Sequence, residues 1–179
     1  MNYHVSSPRE TLLRRRLRVW TWVMIIGLVL SGVTALPLLS ELDLLARWLG
    51  AADLTPAQAG SAFVKWILIV REGLRDTYAK FPFIAYGTDW LAFAHIVIAI
   101  AFVGALRHPV RNVWLFTFGM IASVLIIPWA LITGEVRGIP VYWRLIDCSF
   151  GVGGFIPCWL CHQWTRELEQ LRAAGQRLD

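Results

Sequence analysis

The sequence predicts an all-α integral membrane protein: a four-helix bundle with an amphipathic helical segment between its first and second spans. Three observations carry this reading. Hydrophobic residues make up 57% of the 179 and charged residues only 16%, where a soluble domain carries about a quarter charged residues; mean hydropathy is +0.56. The apolar residues gather into blocks, Val19–Leu36, Trp90–Leu106, Val113–Gly134 and Cys148–Cys161, without Asp, Glu, Lys or Arg. The basic residues fall between those blocks in an alternating pattern.

Residues 1–18 are expected to form a basic tail, mobile up to Leu12. The first span covers about Val19–Leu38. Its flank Arg14-Arg15-Arg16-Leu17-Arg18 matches the n-region of a signal peptide. The apolar run is longer than an h-region, however, and no A-x-A-like site follows at Pro37–Ser40, so it reads as a retained span. The outer segment 39–87 holds two helical patterns. One is Glu41–Leu49. The other is expected to start at the cap Thr55-Pro56-Ala57-Gln58 and to turn Phe63, Trp66, Ile67, Val70 and Leu74 to one side. A fifth span is the competing reading, but the apolar run Ser61–Val70 contains Lys65 and is too short to cross.

The second span begins at Thr88 or Asp89, after the breaker Tyr86-Gly87, and ends at Leu106. The short link Arg107–Asn112 makes it an antiparallel neighbour of the third, about Val113–Thr133, which Pro128 should kink. A tight hairpin, Gly134–Pro140, leads to the fourth. That span is long enough only if it begins near Tyr142 with Arg144 and Asp147 at its mouth; a bilayer core of roughly 30 Å needs about 20 residues. The spanning domain is thus 19–161, followed by a tail, 162–179.

Five arginines precede the first span, Arg107 and Arg111 lie in the link, and Arg166, Arg172 and Arg177 follow the fourth. The positive-inside rule puts all three regions, and both termini, in the cytoplasm. Topology therefore explains the formal charge of +5, and no basic stripe marks a nucleic-acid partner. Trp20, Trp22, Trp90, Trp114, Trp129, Trp143 and Trp164 fall near span ends, where indole prefers to sit.

The strings YGTDWLAFAHIVIAI (Tyr86–Ile100), RGIPVYWRLIDCSFG (Arg137–Gly151) and TALPLLSELDLL (Thr34–Leu45) resemble a family of bacterial membrane proteins without an assigned activity. The resemblance covers most of the chain. It implies a multi-pass protein of the bacterial inner membrane and carries no catalytic residue or cofactor.

Topology gathers polar residues at the outer ends of the last three spans. Asp89 opens the second, and His95 lies about 9 Å deeper at 1.5 Å per residue. Glu135 and Arg137 sit in the hairpin; Trp143, Arg144 and Asp147 open the fourth span. Ionisable groups inside a membrane are costly and are functional candidates by default. In the catalytic reading His95, Asp89, Glu135 and Asp147 supply a His/carboxylate site for a lipid or quinone-like substrate, while Arg137 or Arg144 holds an anionic headgroup. In the structural reading Asp89 stabilises a helix start, Arg144 and Asp147 form a local i, i+3 pair, and Glu135 with Arg137 makes a solvated turn.

Arg144, Asp147, Gly151, Gly154, Cys158 and Cys161 recur at spacings of three and four, so they share a face. It is either a ligand groove lined by Trp143, Arg144, Gly151 and Gly154, or close helix packing. Cys158-Trp159-Leu160-Cys161-His162 satisfies the C-x-x-C-H haem pattern, but its position at the cytoplasmic end of a span argues against c-type attachment. Bis-histidine haem lacks a deep partner for His95. No catalytic motif occurs, no metal constellation is read, and no cofactor is assigned. The expected function is a non-catalytic membrane component, an accessory subunit or a binder of a small amphiphilic ligand in an outer-leaflet pocket, with the embedded enzyme as the alternative. Expected partners are membrane lipid and either another protein or a second copy of the chain.

Overall fold

The computed structural model describes residues 7–175, all of whose regular structure is helical. In order come α1 (Pro8–Thr34), α2 (Leu38–Trp48), a 3-10 turn Pro56–Gln58, α3 (Ala62–Lys80), a second 3-10 turn Pro82–Ala85, α4 (Tyr86–Arg107), α5 (Val113–Val136) and α6 (Val141–Gly175). Among the described residues α1, α4 with the turn before it, α5 and α6 are long and apolar enough to cross a membrane. The segment between the first two is α2 and α3, not a fifth span. In α5 the consecutive residues Val124, Leu125, Ile126 and Ile127 are all exposed, nearly a full turn of apolar surface. Water does not tolerate such a helix, but a bilayer does.

The described residues form two compact units, residues 7–27 with 99–175, and Leu28–Ile98. In the first, α5 and α6 make an antiparallel pair joined by a glycine-dependent stop. Gly138 adopts φ +67°, and the Gly138 and Ile139 amides donate to the Glu135 and Gly134 carbonyls at 3.1 and 2.9 Å. This left-handed cap satisfies the last carbonyls of α5 and needs a residue without Cβ.

Two boundaries differ from those the sequence suggests. Helix α1 begins at Pro8, because the Ser7 hydroxyl accepts the Glu10 amide at 3.2 Å, and Ser-Pro-Arg-Glu is a good helix start. Helix α6 runs on through Gly175. Residues 8–18 and 162–175, expected as tails, are therefore helix, while 1–6 and 176–179 lie outside the described residues. The extensions meet: Arg9 Nε donates to Glu167 at 2.7 Å, and Arg16 lies 5.6 Å from the centre of the Trp164 ring. Leu13, Leu17 and Leu168 are fully or almost fully buried.

In the second unit α2 packs on α3. Gly50, φ +65°, ends α2 with the same cap, its amide and that of Ala51 donating to the Arg47 and Ala46 carbonyls. Leu68 is buried with Ala46 and Ala51, flanked by Leu54, Ala59 and Val64. The expected cap at Thr55 is real but closes only the 3-10 turn, through the Thr55 amide and Gln58 at 2.9 Å. Helix α3 starts later, where Ser61 accepts the Val64 amide. Its buried residues are Ile67, Leu68 and Arg71, about one position round from the expected face, and Phe63 is exposed. Helix α4 begins at Tyr86, two or three residues before the expected start at Thr88 or Asp89, and includes Gly87 in its first turn.

Candidate functional site

The polar residues of the last three spans fall in different units, so each unit has its own arrangement. In the second unit, α4 carries Tyr86, Trp90 and Phe93 on one side. Their rings meet edge to face, with centroids 5.9 Å apart for Tyr86–Trp90 and 5.5 Å for Trp90–Phe93. With Asp89 they line an open groove of about 230 Å³. The i, i+4, i+7 spacing of these aromatics was available in the sequence as a signal for the groove. Reading Trp90 as an interfacial anchor alone missed it.

His95 is half-buried. Its Nδ1 lies 2.8 Å from the Leu91 carbonyl oxygen of its own helix. Because a carbonyl only accepts, that nitrogen carries the proton, and in the neutral ring Nε2 is left as an acceptor. A Cβ at Gly32 of α1 would meet the His95 Cβ at 3.1 Å and the Ala92 carbonyl oxygen at 2.9 Å. Glycine at 32 lets the two backbones approach over the base of the imidazole. Asp89 is exposed on the first turn. The structure forms no hydrogen bond between it and His95, as their 120° separation on the helix predicts.

Arg71 was not foreseen as a polar core residue. It is 6% exposed and donates to the Ala52 carbonyl at 3.1 Å. Its Nε lies 3.9 Å from Asp43 and has no hydrogen-bond partner. Arg75 binds the same Asp43 oxygen at 2.7 Å.

In the first unit Arg144 does not pair with Asp147. It turns back across the hairpin to the Glu135 carboxylate, and its Nε donates to the Ile139 carbonyl at 2.6 Å. Gly134 makes room, since a Cβ there would lie 2.7 Å from the Arg144 side chain. Asp147 is half-buried and has no hydrogen-bond or ion-pair partner among the described residues, while Arg137 is exposed, likewise without a side-chain partner among them. Trp143 is half-buried.

The small-residue face of α6 lies against α5. A Cβ on Gly151 would sit 2.6 Å from the Ser123 carbonyl oxygen, and one on Gly154 would sit 2.7 Å from the Ser123 hydroxyl. Further along the same face Cys158 and Cys161 are free thiols, 1% and 0% exposed. Cys158 points at Met24 at 3.6 Å and fills the notch left by Gly119; Cys161 lies 4.0 Å from the Thr21 hydroxyl. Among the described residues no three His, Cys, Asp or Glu side chains are placed to hold a metal ion.

Four long apolar helices make this a multi-pass membrane protein by length and hydropathy. No family model, curated protein or solved structure matches the chain.

Proposed function

We propose that the chain is a non-catalytic component of the bacterial inner membrane that binds a small amphiphile, or a partner subunit's apolar segment, on its outer side. The carrying observation is the aromatic groove opening α4, where Tyr86, Trp90 and Phe93 offer a rigid apolar wall beside the carboxylate of Asp89. Apolar walls with few polar groups are the usual make-up of such sites. The strongest chemical groups support the same reading, because each is engaged locally: His95 with its own helix and Arg144 with its hairpin. By the positive-inside rule both termini are cytoplasmic, so the groove opens to the outer leaflet. The test is native mass spectrometry of the chain extracted in mild detergent. A stoichiometric lipid-like molecule or subunit should accompany the wild type and be lost from Trp90→Ala/Phe93→Ala. Turnover of a lipid or quinone by the purified protein would overturn it.

The alternative, an embedded enzyme, draws on Asp147, an ionisable group on an apolar helix with no partner among the described residues. That reading expects Asp147→Asn to abolish turnover while leaving the fold intact.

A further inference from the structure

The basic residues of the first unit are not spread evenly over its end. Arg14 of α1, Arg172 of α6 and the α4–α5 link Arg107-His108-Pro109-Val110-Arg111 line one cleft of about 310 Å³, room for about ten waters at roughly 30 Å³ each. The positive-inside rule accounts for arginines being at this end; it does not account for four of them meeting.

The charge around the cleft is only partly compensated, one carboxylate standing against four arginines. Glu10 is shared by Arg14 at 2.8 Å and Arg172 at 3.5 Å, whereas Arg107 and Arg111 have no ion-pair or hydrogen-bond partner among the described residues. The link that carries them is pinned. Asn112 Nδ2 donates to the Gly104 and His108 carbonyls, both at 2.9 Å, and Pro109 fixes one φ.

Depth identifies the ligand. The apolar run of the second span ends at Leu106 and the next begins at Val113, so the link sits at the hydrocarbon edge. Arg14 is five residues before the first apolar run, about 7.5 Å beyond that edge at 1.5 Å per residue. Bilayer headgroup layers extend a comparable distance. Guanidinium forks match phosphate oxygens in pairs, and basic pockets between spans at this depth suit acidic headgroups. We propose that this cleft binds the phosphate of an anionic phospholipid, held between Arg107 and Arg111 and capped by Arg14 and Arg172. The inference is independent of the aromatic groove.

The test uses the full chain in nanodiscs of zwitterionic lipid with increasing phosphatidylglycerol, counting retained acidic lipid by native mass spectrometry. Wild type should retain a discrete acidic lipid, and Arg107→Gln/Arg111→Gln should weaken its retention by about tenfold or more. Arg15→Gln/Arg18→Gln removes the same charge from the same end without touching the cleft, and should change retention less than about twofold. Arg107→Lys/Arg111→Lys, which keeps the charge and guards against a folding failure, should fall between the two, because it loses the fork. Equal loss in both glutamine pairs would reduce the cleft to a diffuse field and overturn the proposal. So would inorganic phosphate displacing the lipid at modest concentration, or acidic lipid retained at wild-type strength by Arg107→Gln/Arg111→Gln.

Discussion

The α5–α6 pair and the α2–α3 pair are both antiparallel helices joined after a left-handed glycine, yet different forces hold them. In α5–α6 the contact is made by absence of side chain, with Gly119, Gly134, Gly151 and Gly154 lying against a partner atom closer than a Cβ allows. The outward surface is largely apolar, with Val, Leu, Ile, Phe and Trp side chains exposed. In α2–α3 a small apolar core of Ala46, Ala51 and Leu68 is closed by charged groups, Asp43, Arg71 and Arg75. Lipid offers no hydrophobic drive between helices, so packing there depends on close approach. Where water is the solvent, burial of apolar area supplies the drive. One chain thus contains two solutions to helix pairing, one by close glycine contact and one by a small apolar core closed by charge.

The difference can be broken most severely at Gly151. A side chain there meets the Ser123 backbone oxygen, which cannot rotate away, so Gly151→Leu should cost about 3 kcal/mol or more. Thermal unfolding in detergent should show it as loss of monodisperse protein. Gly153, two residues on, faces open space, and Gly153→Leu should be nearly silent. Equal effects at the two sites would mean that the α5–α6 contact is not made by glycine.

The α2–α3 pair should fail through charge instead. Asp43→Ala leaves Arg71 buried with only the Ala52 carbonyl and should destabilise this pair by about 2 kcal/mol, discounted from the value for a fully buried pair because Asp43 is partly exposed. Hydrogen exchange over residues 38–80 would report it. Adding Arg71→Leu should restore protection, since an apolar side chain needs no counter-charge. If the double variant exchanges faster than Asp43→Ala alone, the arginine has a role beyond local structure.

A milder change tests how rigid the lipid-side packing is. The Cβ of Gly119→Ala would fall 2.3 Å from the Cys158 sulfur, but that sulfur ends a short, rotatable side chain. A cost of about 1–2 kcal/mol is expected, and Cys158→Ala in the same chain should recover most of it. Strict additivity would show that the two positions do not share one space.

Much of this was legible in the sequence, for reasons that differ by residue. The spans follow from the length of uncharged runs, and the face of α6 from the alternation of three and four through Gly151, Gly154, Cys158 and Cys161. The burial of Thr165 and Leu168 continues that alternation beyond the predicted end. The helical extensions were hidden because their charges read as solvated tails, although Ser7 and Glu10 already formed a helix start. The buried face of α3 was misplaced because apolarity alone located it. Arg71 is buried by a carbonyl and a carboxylate that only the fold brings near. Arg144 likewise had two acidic neighbours within reach, and only the turn at Gly138 selects Glu135 over Asp147.

The smallest expected effect locates the boundary between the two solvents. Arg9 and Glu167 approach to 2.6 Å with side chains 51% and 36% exposed, a well-made pair at the outer reach of α1 and α6. If this end stands in water, ions screen the pair and holding two long side chains costs entropy. A double-mutant cycle with Arg9→Ala and Glu167→Ala should then give a coupling of about 0.5 kcal/mol or less, shrinking further in high salt. Nearby Leu13, Leu17 and Leu168 are buried, so the extension should stay helical in the double variant, held by apolar packing. A coupling well above about 1 kcal/mol that salt does not weaken would place Arg9 and Glu167 in a medium of low dielectric. The membrane edge would then lie beyond residue 9 rather than near Val19, and the arginine cleft would lie within the hydrocarbon instead of at its rim.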